Sequence, residues 1–202
     1  YFIDRRVATV IFLAARLQKP VLVEGPAGVG KTQLAYALAQ GLGTDLIRLQ
    51  CYEGLDEAKA LYEWNYTLQL LYLQAEAASS WQEARSQLFS EEFLLKRPLL
   101  QALLADRKVV LLIDEIDKSD AEFESFLLEA LSDFQVTIPE FGTVKSTSIP
   151  FVVLTSNNSR PLSDALKRRC LHLYLDYPEE ERERTILCHH VPGLPEMLAS
   201  QI

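Results

Sequence analysis

The 202-residue sequence predicts an α/β domain in which a parallel sheet is covered by helices on both faces. Three observations carry that expectation. Short β-branched segments alternate with helical ones along the chain. Residues 109–114 (VVLLID) are apolar until their last position, as a strand buried on both faces should be. A glycine-rich stretch at residues 25–32 falls between a strand and a helix.

Taken in order, residues 4–18 read as an amphipathic helix and 20–24 as a short strand, with Pro20 tolerated at its first position. Residues 31–40 read as a helix with Leu34, Leu38 and Ala39 on one face, and 45–51 as a second strand. Residues 52–105 are rich in Ala, Leu, Glu and Gln and read as a long helical insert, with Pro98 restarting a helix. Tyr62, Trp64, Tyr66, Tyr72 and Trp81 read as packing residues there, or as an inserted element that faces a ring pore or a partner. After the third strand, Ser119 and Glu122 have capping-box spacing and open a helix whose apolar stripe is Phe123, Phe126, Leu127, Ala130 and Phe134. A hairpin pairs 135–138 with 144–149 around Phe141-Gly142. Residues 151–155 form the fourth strand, 163–169 a short helix and 170–175 the fifth strand. The acidic run 179–183 suits the positive first turn of a further helix.

Composition bounds the function classes. No run approaches the roughly 20 apolar residues that cross a bilayer, so no membrane span is expected. Three distant cysteines fit reduced thiols and a cytoplasmic setting rather than a disulfide framework. The formal net charge of −8 disfavours nucleic acid as a partner. The first residue, Tyr1, reads as the start of a trimmed domain. Cys188-His189-His190 reads as a helix-end cluster rather than a metal site, and Tyr1-Phe2-Ile3 as a segment that could lean on an adenine.

The chemistry concentrates in four places. Gly25, Pro26, Ala27, Gly28, Val29, Gly30, Lys31 and Thr32 fill the pattern G-x-x-x-x-G-K-[ST] completely. Glycines let successive amides point inward at phosphate oxygens, and the next helix presents its positive end to the same anion. Lys31 suits the β- and γ-phosphates of ATP, and the Thr32 hydroxyl suits Mg²⁺. Asp114 and Glu115 end the third strand, where ligands bind in parallel sheets: Asp114 to hold Mg²⁺, Glu115 to polarise an attacking water. Asn157, or Asn158 next to it, ends the fourth strand, where a neutral amide orients that water without adding charge. Lys167, Arg168 and Arg169 close the short helix, as cations settling its C-terminus or as arginines that reach a neighbouring subunit's ATP.

In this order the motifs resemble those of the AAA+ ATPases: residues 25–32 as Walker A, 111–115 as Walker B, Asn157 as sensor 1 and Arg168/Arg169 as the finger region. Residues 126–131 with 135–138 are similar to the MoxR branch, and residues 49–55 with 60–66 to its CoxD-like members. The resemblance implies a three-layer P-loop NTPase with a five-stranded parallel sheet of order 5-1-4-3-2, a helical insert and a hairpin before sensor 1. It divides the chain into an ATPase core, 1–176, and the start of a truncated helical lid, 177–202. It further implies a homo-oligomeric ring, usually hexameric, with a client protein and a partner carrying a von Willebrand factor A domain. The role implied is chaperone-like, in maturation of a carbon monoxide dehydrogenase-like metalloenzyme. A DNA-directed motor and a non-hydrolysing ATP switch share the same nucleotide motifs and stay open as alternatives. The lid of the family usually carries a second sensor arginine; with at most its first helix at 178–188, this fragment is expected to bind nucleotide weakly and turn over poorly alone.

Overall fold

A computed structural model describes residues 2–75 and 81–191. Helix α1 (Arg5–Leu17) starts on Asp4, whose carboxylate accepts the Val7 amide at 2.7 Å and satisfies one of the orphan donors of the first turn. Strand β1 (Val21–Glu24), helix α2 (Lys31–Leu42) and strand β2 (Leu46–Gln50) follow. The insert runs through α3 (Glu57–Ala60), β3 (Tyr62–Trp64), α4 (Tyr66–Ala75), α5 (Trp81–Leu88), β4 (Leu94–Lys96) and α6 (Pro98–Leu103). Then come β5 (Val110–Asp114), α7 (Ala121–Asp133), the hairpin β6 (Gln135–Ile138) and β7 (Gly142–Lys145), β8 (Phe151–Ser156), α8 (Asp164–Arg169), β9 (Leu171–Tyr174) and α9 (Glu180–His190).

The main sheet is parallel, in the order β2-β5-β8-β1-β9. Numbering its five strands along the chain, this is the 5-1-4-3-2 order that the sequence predicts. Because successive strand side chains point to opposite faces, the inner strands β1, β5 and β8 feed two cores. On one face Val21, Val23, Val110, Leu112 and Val153 pack with Val7 and Ala14 of α1 and Leu34 and Leu38 of α2. On the other, Leu22, Leu111, Ile113, Val152 and Leu154 pack with Leu99 and Leu103 of α6, Leu127 of α7 and Leu166 of α8. Each fully buried leucine contributes about 1.5–3 kcal/mol relative to exposure.

Three local expectations are corrected. The insert is not helical throughout: β3 and β4 form an antiparallel pair, Tyr62 opposite Lys96 and Trp64 opposite Leu94. Aromatic residues suit a strand, and here Trp64 buries its ring against Tyr62 and Phe89. Tyr72 meets Phe93 edge-on, but Tyr66 is exposed, and the side chain of Trp81 lies outside the described residues. The cap of α7 is Asp120, which accepts the Phe123 amide at 2.8 Å; the Ser119 hydroxyl instead donates to the Ile116 carbonyl. A carboxylate one residue later competes better for the helix N-terminus, because charge adds to the hydrogen bond. The return strand of the hairpin is Gly142–Lys145, beginning before residue 144 and ending before 149.

Candidate active site

The turn after β1 is shaped by two glycines. A Cβ on Gly25 would sit 2.0 Å from the Leu175 carbonyl oxygen, so no other residue fits beneath the chain leaving β9. Gly30 caps α2 at φ 90, a left-handed conformation that a side chain disfavours. Lys31 is 6% exposed, and its ammonium folds back onto the carbonyl oxygens of Gly25 and Pro26 at 2.7 and 2.5 Å. Burial lowers its pKa, and the nearby charges of Asp117, Asp114 and Glu115 oppose that shift.

Across the sheet, Asp114 ends β5 almost fully buried. Its Oδ1 accepts hydroxyl hydrogens from Thr155 at 2.5 Å and Thr32 at 3.0 Å. Its Oδ2 accepts from Arg48 Nε and Nη2 at 3.1 and 2.6 Å. Glu115 adopts φ 58, ψ 51, and its amide donates to Thr155 Oγ1 at 2.9 Å. Its carboxylate receives Asn157 Nδ2 at 3.2 Å, Gln50 Nε2 at 2.8 Å and Lys118 Nζ at 2.7 Å. The side chains of Lys31, Thr32, Asp114, Glu115 and Asn157 therefore converge at the carboxyl ends of β1, β5 and β8. Asn158, the fallback for Asn157, turns at φ 58 with its amide on Ser156 Oγ.

Beside Gly28, Val29 and Gly30 opens a cavity of about 910 Å³, walled by Phe2, Val7, Tyr174 and Ile186. Its volume suits a nucleotide-sized ligand. Phe2 and Ile3 are exposed; Phe2 lines this cavity, and Tyr1 lies outside the described residues. Arg182 of α9 fastens this N-terminal segment by donating to the Phe2 carbonyl oxygen at 2.8 Å.

Arg168 and Arg169 are not brought to this site. They line a second cavity of about 600 Å³ with Pro20, at the start of β1, whereas residues 25–32 follow its end. Arg168 Nε donates to its own helix at Asp164 O, and Arg169 Nε to Ser132 Oγ. On α9, Cys188 is exposed and His189 meets the Phe2 ring; no cluster of three or more potential metal ligands occurs among the described residues.

Sequence reasoning missed four neighbours of the acidic pair: Arg48, Gln50, Thr155 and Asp117. Asp117 accepts the Asn157 amide and both the amide and hydroxyl of Ser159 on one carboxylate oxygen. Burial would raise its pKa, but these hydrogen bonds outweigh burial and hold it below the ordinary value. The signal for Arg48 and Gln50 was present: a two-residue spacing puts both on one face of an otherwise apolar strand.

Phosphate-type loop, parallel sheet order and converging acids define a P-loop nucleotide-binding fold. Residues 21–176 match the ATPase family associated with various cellular activities (AAA), and the chain belongs to that family. The uncharacterized protein YeaC of Bacillus subtilis (strain 168) is 28% identical over 193 residues, 92% of this chain and 52% of that protein. An uncharacterized protein of Staphylococcus aureus (strain USA300) is 27% identical over 168 residues, 80% and 57% of the two chains. A protein of Cytophaga hutchinsonii ATCC 33406, named as an inferred ATPase, superposes with a TM-score of 0.62 at 21% identity, covering 93% of this chain and 51% of that one. The RuvB Holliday junction branch migration motor of Thermotoga maritima superposes with a TM-score of 0.52 at 21% identity, covering 91% and 47%. This chain thus spans about half the length of the relatives it matches. No helix among the described residues is long and apolar enough to cross a membrane.

Proposed function

We propose that this chain is the ATP-hydrolysing part of a cytoplasmic AAA+ chaperone of the MoxR type, closest to the CoxD-like members. Residues 1–176 form its ATPase core and 177–202 begin its helical lid. The observation that supports catalysis is the convergence of Lys31, Thr32, Asp114, Glu115 and Asn157 from the ends of two strands and one helix N-terminus.

In this mechanism the amides of Gly25, Ala27, Gly28, Val29 and Gly30 cradle the phosphates, while Pro26, which has no N–H to donate, shapes the turn. Lys31 leaves its two carbonyl acceptors to donate to the triphosphate. Thr32 and Asp114 fit Mg²⁺, because a hydroxyl and a buried carboxylate 3.0 Å apart offer the hard oxygen donors it prefers. With ATP bound, Mg²⁺ held there would supply positive charge to the phosphates. Glu115 accepts a proton from the attacking water, and Asn157 aims that carboxylate. The position of Arg168 and Arg169, at the far end of the sheet from residues 25–32, supports action in trans: in a hexameric ring they complete the next subunit's site.

Coupling hydrolysis to subunit packing would remodel a client, in the maturation of a carbon monoxide dehydrogenase-like metalloenzyme, with a partner carrying a von Willebrand factor A domain. The test is a capture from the native host with full-length Glu115→Gln, which should hold the ATP-bound ring on its client. A captured set without a metalloenzyme or its assembly factors would remove the maturation role.

A further inference from the structure

Arg48 has no part in the mechanism above, yet it is the cation in closest contact with Asp114. It stands in the middle of β2 opposite Leu112, and sends both Nε and Nη2 to Asp114 Oδ2. Nη2 also donates to Gln50 Oε1 at 2.5 Å. The exposures are unequal: 44% for the Arg48 side chain, 2% for that of Asp114.

An ionised carboxylate offers about four acceptor positions. On Asp114, Thr155 and Thr32 take those of Oδ1, and the two Arg48 donors, with a longer 3.3 Å approach from Thr32, take those of Oδ2. A metal ion, or the water shell around it, can therefore reach this carboxylate only if a donor withdraws. Thr155 is buried and also accepts the Glu115 amide, so its departure would leave a buried donor unpaired. Thr32 needs only to rotate its hydroxyl. Arg48 is half-exposed, and its guanidinium can move into water at little cost. Like charge drives the same step, since a guanidinium and a divalent cation repel across one shared carboxylate.

We propose that Arg48 is a resident counter-cation of the metal site, holding Asp114 in the nucleotide-free chain and competing with Mg²⁺ for it. The inference rests on the role given to Asp114 under the proposed function. Arg48 thereby sets how strongly nucleotide binding depends on Mg²⁺. It also touches the catalytic glutamate at one remove, because the Gln50 side chain it holds donates to Glu115 Oε2.

The test measures affinity for a fluorescent non-hydrolysable ATP analogue with excess EDTA and with saturating Mg²⁺. By linkage, the ratio of the two affinities reports metal affinity in the bound complex. Arg48→Gln and Arg48→Met should each raise that ratio about tenfold, within the usual range of coupling between two sites. Arg48→Lys, charged but without the planar fork, should fall between. It also provides a reading should the neutral variants not fold. A ratio equal to or below that of the unsubstituted chain in the folded variants overturns the inference alone. If the unsubstituted chain binds the analogue under neither condition, the ATPase reading falls and takes this inference with it.

Discussion

Asn157 Nδ2 donates to Glu115 Oε1 across 3.2 Å, joining the ends of β8 and β5. The carboxylate it holds belongs to a residue in the left-handed region, at φ 58, which costs on the order of 1 kcal/mol for a non-glycine residue. That strain persists because Thr155 fixes the Glu115 amide while Gln50 and Lys118 hold its other oxygen. Three contacts thus hold the carboxylate and a fourth fixes the backbone that carries it.

Glu115→Gln should retain nucleotide while phosphate release falls about 10²–10⁴-fold, the usual worth of a general base. Asn157→Ala should lower release by less, and Asn157→Asp by more than Ala, because it sets a like charge against Glu115. Filter binding and steady-state phosphate release measure the two effects separately. Unchanged release in Glu115→Gln would remove that residue from the chemistry.

Gly25→Ala should destabilise the chain by about 2–3 kcal/mol or prevent folding, since its Cβ has to displace backbone. The obstacle is the Leu175 carbonyl, 2.0 Å from the added carbon. Leu175 is itself tied by its amide to the Glu24 carbonyl at 2.8 Å, so the collision cannot be relieved locally. Urea unfolding checks this, and a midpoint equal to that of the unsubstituted chain would contradict it.

Much of this arrangement is legible in the sequence because it rests on periodicity and on residues with few substitutes. The continuous apolar run of β5, the glycines at 25, 28 and 30, and Lys31 with Thr32 allow few other readings. Sheet order is different in kind: it came from resemblance, since no local pattern says which strand lies beside which. The β3–β4 pair was illegible because three-residue strands are too short to establish a period of two within a Leu- and Ala-rich stretch. Arg48 and Gln50 were visible as polar residues on a largely apolar strand, but their targets, Asp114 and Glu115, are 66 and 65 residues away in sequence. Only the parallel pairing of β2 with β5 brings them together.

Asp117 should make an acid-sensitive contribution to stability. Its folded-state pKa lies below the ordinary 3.8, so the unfolded chain binds the proton more readily. The contribution is therefore fully present above about pH 4 and is lost as pH falls through the folded value. Asp117→Asn should cost about 2 kcal/mol at neutral pH, the scale of hydrogen bonds to a charged group. The gap between the two proteins should close as pH drops below 4, followed by urea unfolding at stepped pH. A gap independent of pH would mean that the charge of Asp117 contributes nothing.

The three cysteines should separate by reactivity. Burial pushes the thiols of Cys51 and Cys170 up to about 12, for Cys51 with help from the charges of Asp114, Asp117 and Glu115. Cys188 is exposed on α9. Since the thiolate is the reactive form, a disulfide reagent near pH 8 should modify Cys188 promptly and the other two only on unfolding. Peptide mapping after a short exposure identifies the labelled residue. Early modification of Cys51 would mean that the core around it opens to solvent.

Arg168 and Arg169 supply the sharpest expectation about assembly. In one chain they flank the start of β9, while residues 25–32 follow the end of the parallel neighbour β1. The four residues of β1 alone separate those ends by about 13 Å at 3.3 Å per residue. This separation sets both arginines apart from the loop of their own chain. In the full-length protein, Arg168→Ala with Arg169→Ala should abolish hydrolysis while sparing nucleotide binding, and Glu115→Gln should do the same. Mixing the two inactive proteins should restore part of the activity, because some interfaces then pair an intact Glu115 with intact arginines. Activity that stays absent in the mixture, with subunit exchange verified by labelled protein, would place the function of these arginines within their own chain. A single-arginine series then assigns the contact: the substitution that alone abolishes hydrolysis, and is rescued by mixing with Glu115→Gln, marks the residue that reaches across.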